Sequence, residues 1–416
     1  MLRAQLLLLA MLAAALAVLG NASPAAAEPT VIATIAVGTS PFGVGVNATT
    51  NRIYVANQFG NDVSVIDGAT NTGIDTDGNA GNGITRIPVG SGPIGVVANP
   101  ATNRVYVANQ FSSNVSVIDG ATDTEIDTDG NPANGITRIA VGSGPVGVAV
   151  NPTTNRIYVA NGDSWNVSVI DGATDTEIDT DGNPANGITR IPVGDRPLLL
   201  AVNPTTNRIY VANWLSDDLS VIDGATNTVG ATVPVGVGPL GVSANPTTNR
   251  IYVTNAGNPI PGNDVSVIDG ATDTEIDTDG NPGNGITRIL VGDSPHGVAS
   301  NATTNRVYVA NQSNDNVSVI DGASNTVVAT VPVGDFLWCV GVNPSTNRIY
   351  VTNRNDNTVS VIEDLPPVGG VAELPDVAAD SGPSAATYAV LAAVLSTSLV
   401  TVTAGVWYAR RRWLRA

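Results

Sequence analysis

The tract Asn-Arg-Ile/Val-Tyr-Val-Ala/Thr-Asn occurs seven times, beginning at Asn51, Asn103, Asn155, Asn207, Asn249, Asn305 and Asn347. The start-to-start spacings are 52, 52, 52, 42, 56 and 42 residues. They resolve into a unit of 42, a ten-residue insertion in four units and a further four-residue insertion in one. A period of about 40–45 residues built from short strands is the pattern of propeller blades, because such a unit cannot cover its own sheet and must stack on neighbours. The repeat thus fixes the scaffold. Function is to be sought where single units depart from it.

In the third unit, residues 147–150 form a short apolar strand ended by the Asn-Pro-Thr-Thr-Asn turn at 151–155. Residues 156–160 form a second strand, with Ile157 and Val159 on one face and Tyr158 on the other. Residues 167–170 form a third strand stopped by Asp171-Gly172, and 187–193 the outermost. Short β-branched runs bounded by Asn, Pro, Gly and Asp are strands with turns, and four of them make a blade. The seventh unit lacks a fourth strand, while residues 30–38 at the start match 326–334 in character. The N-terminal strand is therefore expected to complete the last blade and remove the exposed sheet edges. The fold class read here is all-β, a seven-bladed propeller closed by its N-terminal strand.

These repeats resemble the YVTN-family β-propeller repeat of prokaryotic surface proteins. Tyr252-Val253-Thr254-Asn255 and Tyr350-Val351-Thr352-Asn353 spell the motif, and five units carry Ala for Thr. The resemblance spans about residues 30–362 and implies a cell-surface propeller. It assigns no activity, since propellers host binding, scaffolding and catalysis alike.

The two ends imply export. Residues 1–27 read as a signal peptide: Arg3, an apolar run from Leu6 to Leu19, and Ala25-Ala26-Ala27. The propeller is placed at 28–364 and a Pro/Gly/Ala/Asp-rich linker at 365–386. A transmembrane helix at 387–408 and a basic tail at 409–416 follow. Tyr388 to Trp407 carries no charge, and Arg410, Arg411, Arg412 and Arg415 would hold the tail in the cytoplasm. The expectation is a single-pass cell-membrane protein with an extracellular propeller. Leu374-Pro375-Asp376-Val377-Ala378 resembles a sortase sorting signal but lacks its Thr-Gly, so a retained membrane anchor is preferred.

The chain contains no Lys, and its formal net charge is −18. That excludes a nucleic-acid partner, which needs a basic patch. Cys339 is the single cysteine, so no internal disulfide forms, and it is read as a small buried hydrophobe.

Each motif Arg begins a second strand where an acid ends the third. The expected cross-strand pairs are Arg52 with Asp67, Arg104 with Asp119, Arg156 with Asp171, Arg208 with Asp223, Arg250 with Asp269, Arg306 with Asp321 and Arg348 with Glu363. The ten-residue insertions are placed between third and fourth strands, on the edge where the chain leaves the propeller, and that face is expected to look toward the membrane. They offer oxygens at alternate positions, with Asp75 and Asp77, Asp127 and Asp129, Asp179 and Asp181, and Asp277 and Asp279 as calcium candidates. Gly falls one step after the second Asp and no bidentate Glu follows, which favours solvated hairpin tips with Ca2+ as the alternative.

Off-template residues gather on the opposite face. The position after the usual Pro is Phe42, Ile94, Val146, Leu198, Leu240, His296 and Trp338, expected to ring one mouth of the central channel. The second loop set carries Phe59, Phe111, Trp165 and Trp214, and of the propeller's arginines only Arg196 and Arg354 are free of template roles. With Asp195, Asp293 and Asp335 they suggest a recognition surface for a cell-surface protein or glycan, aromatic residues and Arg being enriched at binding hot spots. The function read is a non-catalytic recognition, adhesion or envelope-scaffold module. The alternative is a lyase or lactonase at the channel mouth, with His296, Asp293 and Asp335 as candidates.

Overall fold

A computed structural model describes residues 28–364 apart from 77–83, 132, 134, 184–186, 279 and 281–284. The signal peptide, linker, sorting-like segment, transmembrane helix and basic tail read from the sequence lie outside the described residues. So do Asp77 and Asp279. Among the described residues no helix is long and apolar enough to cross a membrane.

Seven antiparallel sheets follow one another along the chain. Blade four shows the unit without insertion: Pro197–Asn203 innermost, then Arg208–Asn213, Asp218–Asp223 and Thr228–Pro234. Blade seven is made of Leu337–Asn343, Arg348–Asn353 and Thr358–Glu363, and Thr30–Ala36 pairs antiparallel with the last of these. The expected closure by the N-terminal strand is what the chain does.

A second ring of bonds closes independently of the sheets. The Asn ending each inner strand donates to the first motif Asn of the next blade: Asn47 to Asn103 at 2.8 Å, and so on round to Asn343 with Asn51 at 2.7 Å. Between blades lie seven apolar clusters. Each contains one motif Tyr, and all seven tyrosines are fully buried. Tyr158 packs toward blade four with Ile209 and Val211, whereas Ile157 and Val159 pack toward blade two. Burying a side chain of this size contributes about 2 kcal/mol at each junction.

Two expectations are corrected. The insertions do not precede the outer strand; they interrupt it. In blade three Thr176–Glu177 and Ile191–Pro192 both pair with Asn166–Asp171, so the insertion leaves the outer strand half-way along the blade. Arg190 then reaches back to Ser168 Oγ at 3.1 Å and forms a bidentate pair with Glu177. The insertions therefore do not share the edge from which the chain exits.

The second correction concerns the motif arginines. Arg52 does lie opposite Asp67 in register. Its ion pair, however, is with Asp123 in the turn of the next blade, because Asp67 already accepts from the Ala69 and Thr70 amides. Arg104 pairs likewise with Asp175, Arg208 with Asp273 and Arg306 with Asp364. Arg156 and Arg250 bond the carbonyls of Gly224 and Gly322. Of the seven expected pairs, Arg348 with Glu363 is the one that forms, at 3.6 Å. In the other six blades, within-blade pairing gives way to clamps between blades.

Candidate functional site: the channel mouth

The entry loop of each inner strand and the loop joining second and third strands meet on one face. Backbone bonds join them: Gln110 N–H to Gly92 O at 2.9 Å, Trp214 N–H to Arg196 O at 3.1 Å, and Arg354 N–H to Phe336 O at 3.1 Å. The expected ring exists in large part as a buried apolar cluster of Phe42, Ile94, Val146, Leu198 and Leu240 with Ala256, against which Leu199, Trp214 and Trp338 pack. Beneath it the channel holds a cavity of about 220 Å³ lined by inner-strand residues, half-buried Cys339 among them. Above it a cavity of about 200 Å³ lies between Trp214 and Trp338 on the floor of Phe42, Ile94, Val146, Leu198 and Leu240. Gln58, Gln110 and Arg196 also line it.

Departures from the repeat carry an unexpected backbone signature. The residue before each inner strand, which starts with Pro in six blades and Leu337 in the seventh, has positive φ, and four blades place Gly92, Gly144, Ser40 and Ser294 there. A fifth has Gly238, while blades four and seven have Arg196 at φ 55° and Phe336 at φ 58°. Trp165, in the loop between second and third strands of blade three, has φ 54°. All other described non-glycine residues with positive φ are Asn, Asp or Ser. A bulky side chain held in this left-handed region costs about 1–2 kcal/mol. Such outliers persist where the site, and not the fold, selects the residue.

Trp165 and Arg196 belong to one junction. At four other junctions the residue at Trp165's position accepts the N–H at Arg196's position: Asn61 from Gly92, Asp217 from Gly238 and Asn357 from Ser40 at 2.8 Å, and Asp315 from Phe336 at 3.0 Å. The indole of Trp165 is 50% exposed and offers no such acceptor. Phe59 and Phe111 are exposed at 59% and 62%.

Blades four and seven, three steps apart on a seven-membered ring, each carry one Arg against one Trp. The Arg196 guanidinium lies 5.2 Å from the Trp214 ring. That of Arg354 lies 4.6 Å from Phe42, 5.7 Å from Phe336, 5.8 Å from Phe59 and 6.0 Å from Trp338, with Nε bonded to Ser40 Oγ at 2.8 Å. Among the described residues neither arginine forms an ion pair. Burial lowers the pKa of Arg354, in the direction that an unpaired, half-desolvated cation requires. The buried Trp214 indole N–H has no hydrogen-bond partner.

His296 is buried. Its Nδ1 lies 3.2 Å from the Gln312 amide, and its ring meets Trp338 edge-on at 4.4 Å. Burial first, and the nearby Arg354 charge second, lower its pKa to about 4, so the imidazole is neutral at pH 7. Asp293 and Asp335 are exposed, and no cluster of three His, Cys, Asp or Glu able to hold a metal occurs among the described residues. His296 is held by Gln312 and Trp338, and no acid bonds it among the described residues.

On the insertions, Asp75, Asp127, Asp179 and Asp277 each accept the N–H of the Thr that closes the loop, at 2.9–3.0 Å. Asp129 and Asp181 accept from Thr137 and Thr189 hydroxyls. These carboxylates shape hairpins from within.

Reading the sequence by unit missed Phe336, Gln58, Gln110 and Gln312. Aligning the seven units at the residue after each tract gives Gln58, Gln110, Gly162, Trp214, Ala256, Gln312 and Arg354, which is the signal that finds the three glutamines.

Comparison with known proteins places the fold and little more. The hydrazine synthase of Kuenenia stuttgartiensis matches with a TM-score of 0.62 and 21% identity, covering 79% of this chain and 97% of that one. At that identity the likeness is one of fold. The PE-PGRS family protein PE_PGRS18 of Mycobacterium tuberculosis (strain ATCC 25618 / H37Rv) is 43% identical over 164 residues, 32% of this chain. The match spans 34% of that relative, about a third of its length. No family model matches the chain.

Proposed function

We propose that this propeller is the extracellular recognition module of a single-pass membrane protein, with the channel mouth as its binding surface. Phe59, Phe111, Trp165, Trp214, Arg196, His296, Trp338 and Arg354 form or border that surface. One observation carries the reading: Trp165, Arg196 and Phe336, all in the loops of the mouth face, hold left-handed backbone that the repeat elsewhere gives to small or Asx residues. A scaffold alone has no use for that cost. Exposed aromatics beside unpaired arginines supply anchors of the type that dominate binding energy. The likeness of the tract to the YVTN repeat supports a prokaryotic cell-surface setting, and the apolar run at 388–407 with the arginines after it supports membrane tethering.

The test is a glycan and protein binding screen of the propeller, residues 28–364, repeated with Trp165→Ala and Trp214→Ala. Retained fold with lost binding supports recognition at the mouth. Binding unchanged by both substitutions would move the site elsewhere on the ring.

A further inference from the structure

Thirteen arginines lie in the propeller. Eleven bond a carboxylate, a carbonyl or a Ser hydroxyl that holds blade to blade or insertion to blade, as Arg86 does with Ser64 and Val37. Arg354 bonds the Ser40 hydroxyl but meets no acid, and Arg196 has neither kind of bond among the described residues, although acidic residues outnumber basic ones two to one in this chain. Where acid is plentiful, Arg196 standing at a cavity with no acid, carbonyl or hydroxyl partner among the described residues marks a place kept for an outside anion. Arginine in particular offers a planar fork matched to a carboxylate.

The cavity between Trp214 and Trp338 says what the anion is attached to. Its floor is aliphatic and aromatic: Phe42, Ile94, Val146, Leu198 and Leu240. A hydroxyl-covered ring seated there would lose hydrogen bonds to water with nothing below to replace them. Polar partners stand at the wall: Gln58, Gln110 and Arg196, with the Trp214 N–H still unpartnered. About 200 Å³ is room for one ring or one large side chain.

We propose that the channel mouth binds an apolar group of single-ring size that bears a carboxylate, its apolar part on the Phe42–Leu240 floor and its carboxylate at Arg196. Arg354, caged by Phe42, Phe336 and Trp338, adds a second positive charge toward the same mouth. Two sources present this chemistry: a polypeptide C-terminus ending in a large apolar residue, and a free cyclic or aromatic acid. This inference rests on the reading of the mouth as a recognition surface and narrows it to a ligand class.

The experiment is ligand-observed NMR titration of the full chain with N-acetylphenylalanine, its neutral amide, phenylacetate and glucuronate. The acid is expected to bind at least tenfold more tightly than the amide and than glucuronate. Arg196→Gly should remove that preference, and Arg354→Gln should weaken it. Both variants restore what other blades carry at those positions, so loss of fold does not confuse the result. N-acetylphenylalanine tighter than phenylacetate supports a chain end; the reverse supports a free acid. Equal binding of acid and amide, preference for glucuronate, or no binding by any probe overturns the ligand class. In each of those cases a Trp165-dependent hit in the broad screen would leave the recognition reading standing.

Discussion

At the junction of blades three and four, Trp165 stands where the repeat elsewhere places a side-chain acceptor, and the backbone N–H left without that acceptor is the one on Arg196. Both residues are bulky and both hold positive φ. At the preceding junction but one, Asn61 accepts from Gly92 at 2.8 Å. This junction thus lacks a local bond that four others make and holds two bulky residues in left-handed backbone, one an exposed indole and the other an arginine stacked on Trp214.

Trp165→Asn should therefore stabilise the propeller. It restores an acceptor for the Arg196 N–H and replaces a side chain poorly suited to left-handed backbone. The expected gain is about 1 kcal/mol, read as a rise in denaturant midpoint at unchanged slope. Loss of stability would show that the indole packs in a way the strain argument neglects.

The clamp between blades predicts a graded series. Asp364 is 1% exposed and receives both Arg306 and the Tyr308 hydroxyl, whose pKa burial and this carboxylate push upward. Asp364→Ala leaves a part-buried cation unpaired and should cost about 3 kcal/mol. Asp364→Asn should cost less, because Asn71, Asn227 and Asn325 fill the same role at other junctions. Conversely, Asn227→Asp gives Arg156 an acid and Tyr158 an acceptor, for a gain of about 1 kcal/mol. Calorimetric melting of the three variants checks the order.

His296 predicts a pH dependence. Its pKa falls from an ordinary 6.5 to about 4 on folding. Between these values the unfolded chain binds the proton and the folded chain does not, so this group's effect destabilises the fold as pH drops from 6.5 through 4. The full effect below pH 4 is up to about 3 kcal/mol. His296→Leu, which restores the residue of blades four and five, should remove that slope when wild type and variant are compared across the same window. An unchanged difference between pH 7 and pH 4 would contradict the buried neutral imidazole.

Calcium removal should have little effect. The first Asp of each insertion is already engaged by the closing Thr amide, and Glu125 holds Arg138 through two bonds. Chelation is expected to leave the melting temperature within about 1 °C, and added Ca2+ to leave it there. A rise of several degrees with Ca2+ would return the loops to the calcium reading.

Most of the fold was legible because seven copies of one tract report the same strand, turn and packing face. Closure was legible because residues 30–38 repeat 326–334. What stayed hidden involves relations longer than one unit. Arg52 reaches Asp123, 71 residues on, and reading one unit at a time offers only Asp67 as a partner. The break in the outer strand was missed because Thr176–Glu177 and Ile191–Pro192 are two residues each, too short to show alternation. At the mouth, aromatic and arginine departures were visible as letters, but φ is not. Only the backbone distinguishes Phe336 from an ordinary loop residue and shows that Arg196 and Trp165 share a junction.

The central claim is that departures from the repeat at the channel mouth carry recognition. The most direct measurement is the binding of the triple revertant Trp165→Asn, Arg196→Gly, Arg354→Gln, beside wild type, to whatever ligand the screen yields. The prediction is at least tenfold weaker binding with a melting temperature equal to or above that of wild type. A folded revertant that binds as wild type does would contradict the account.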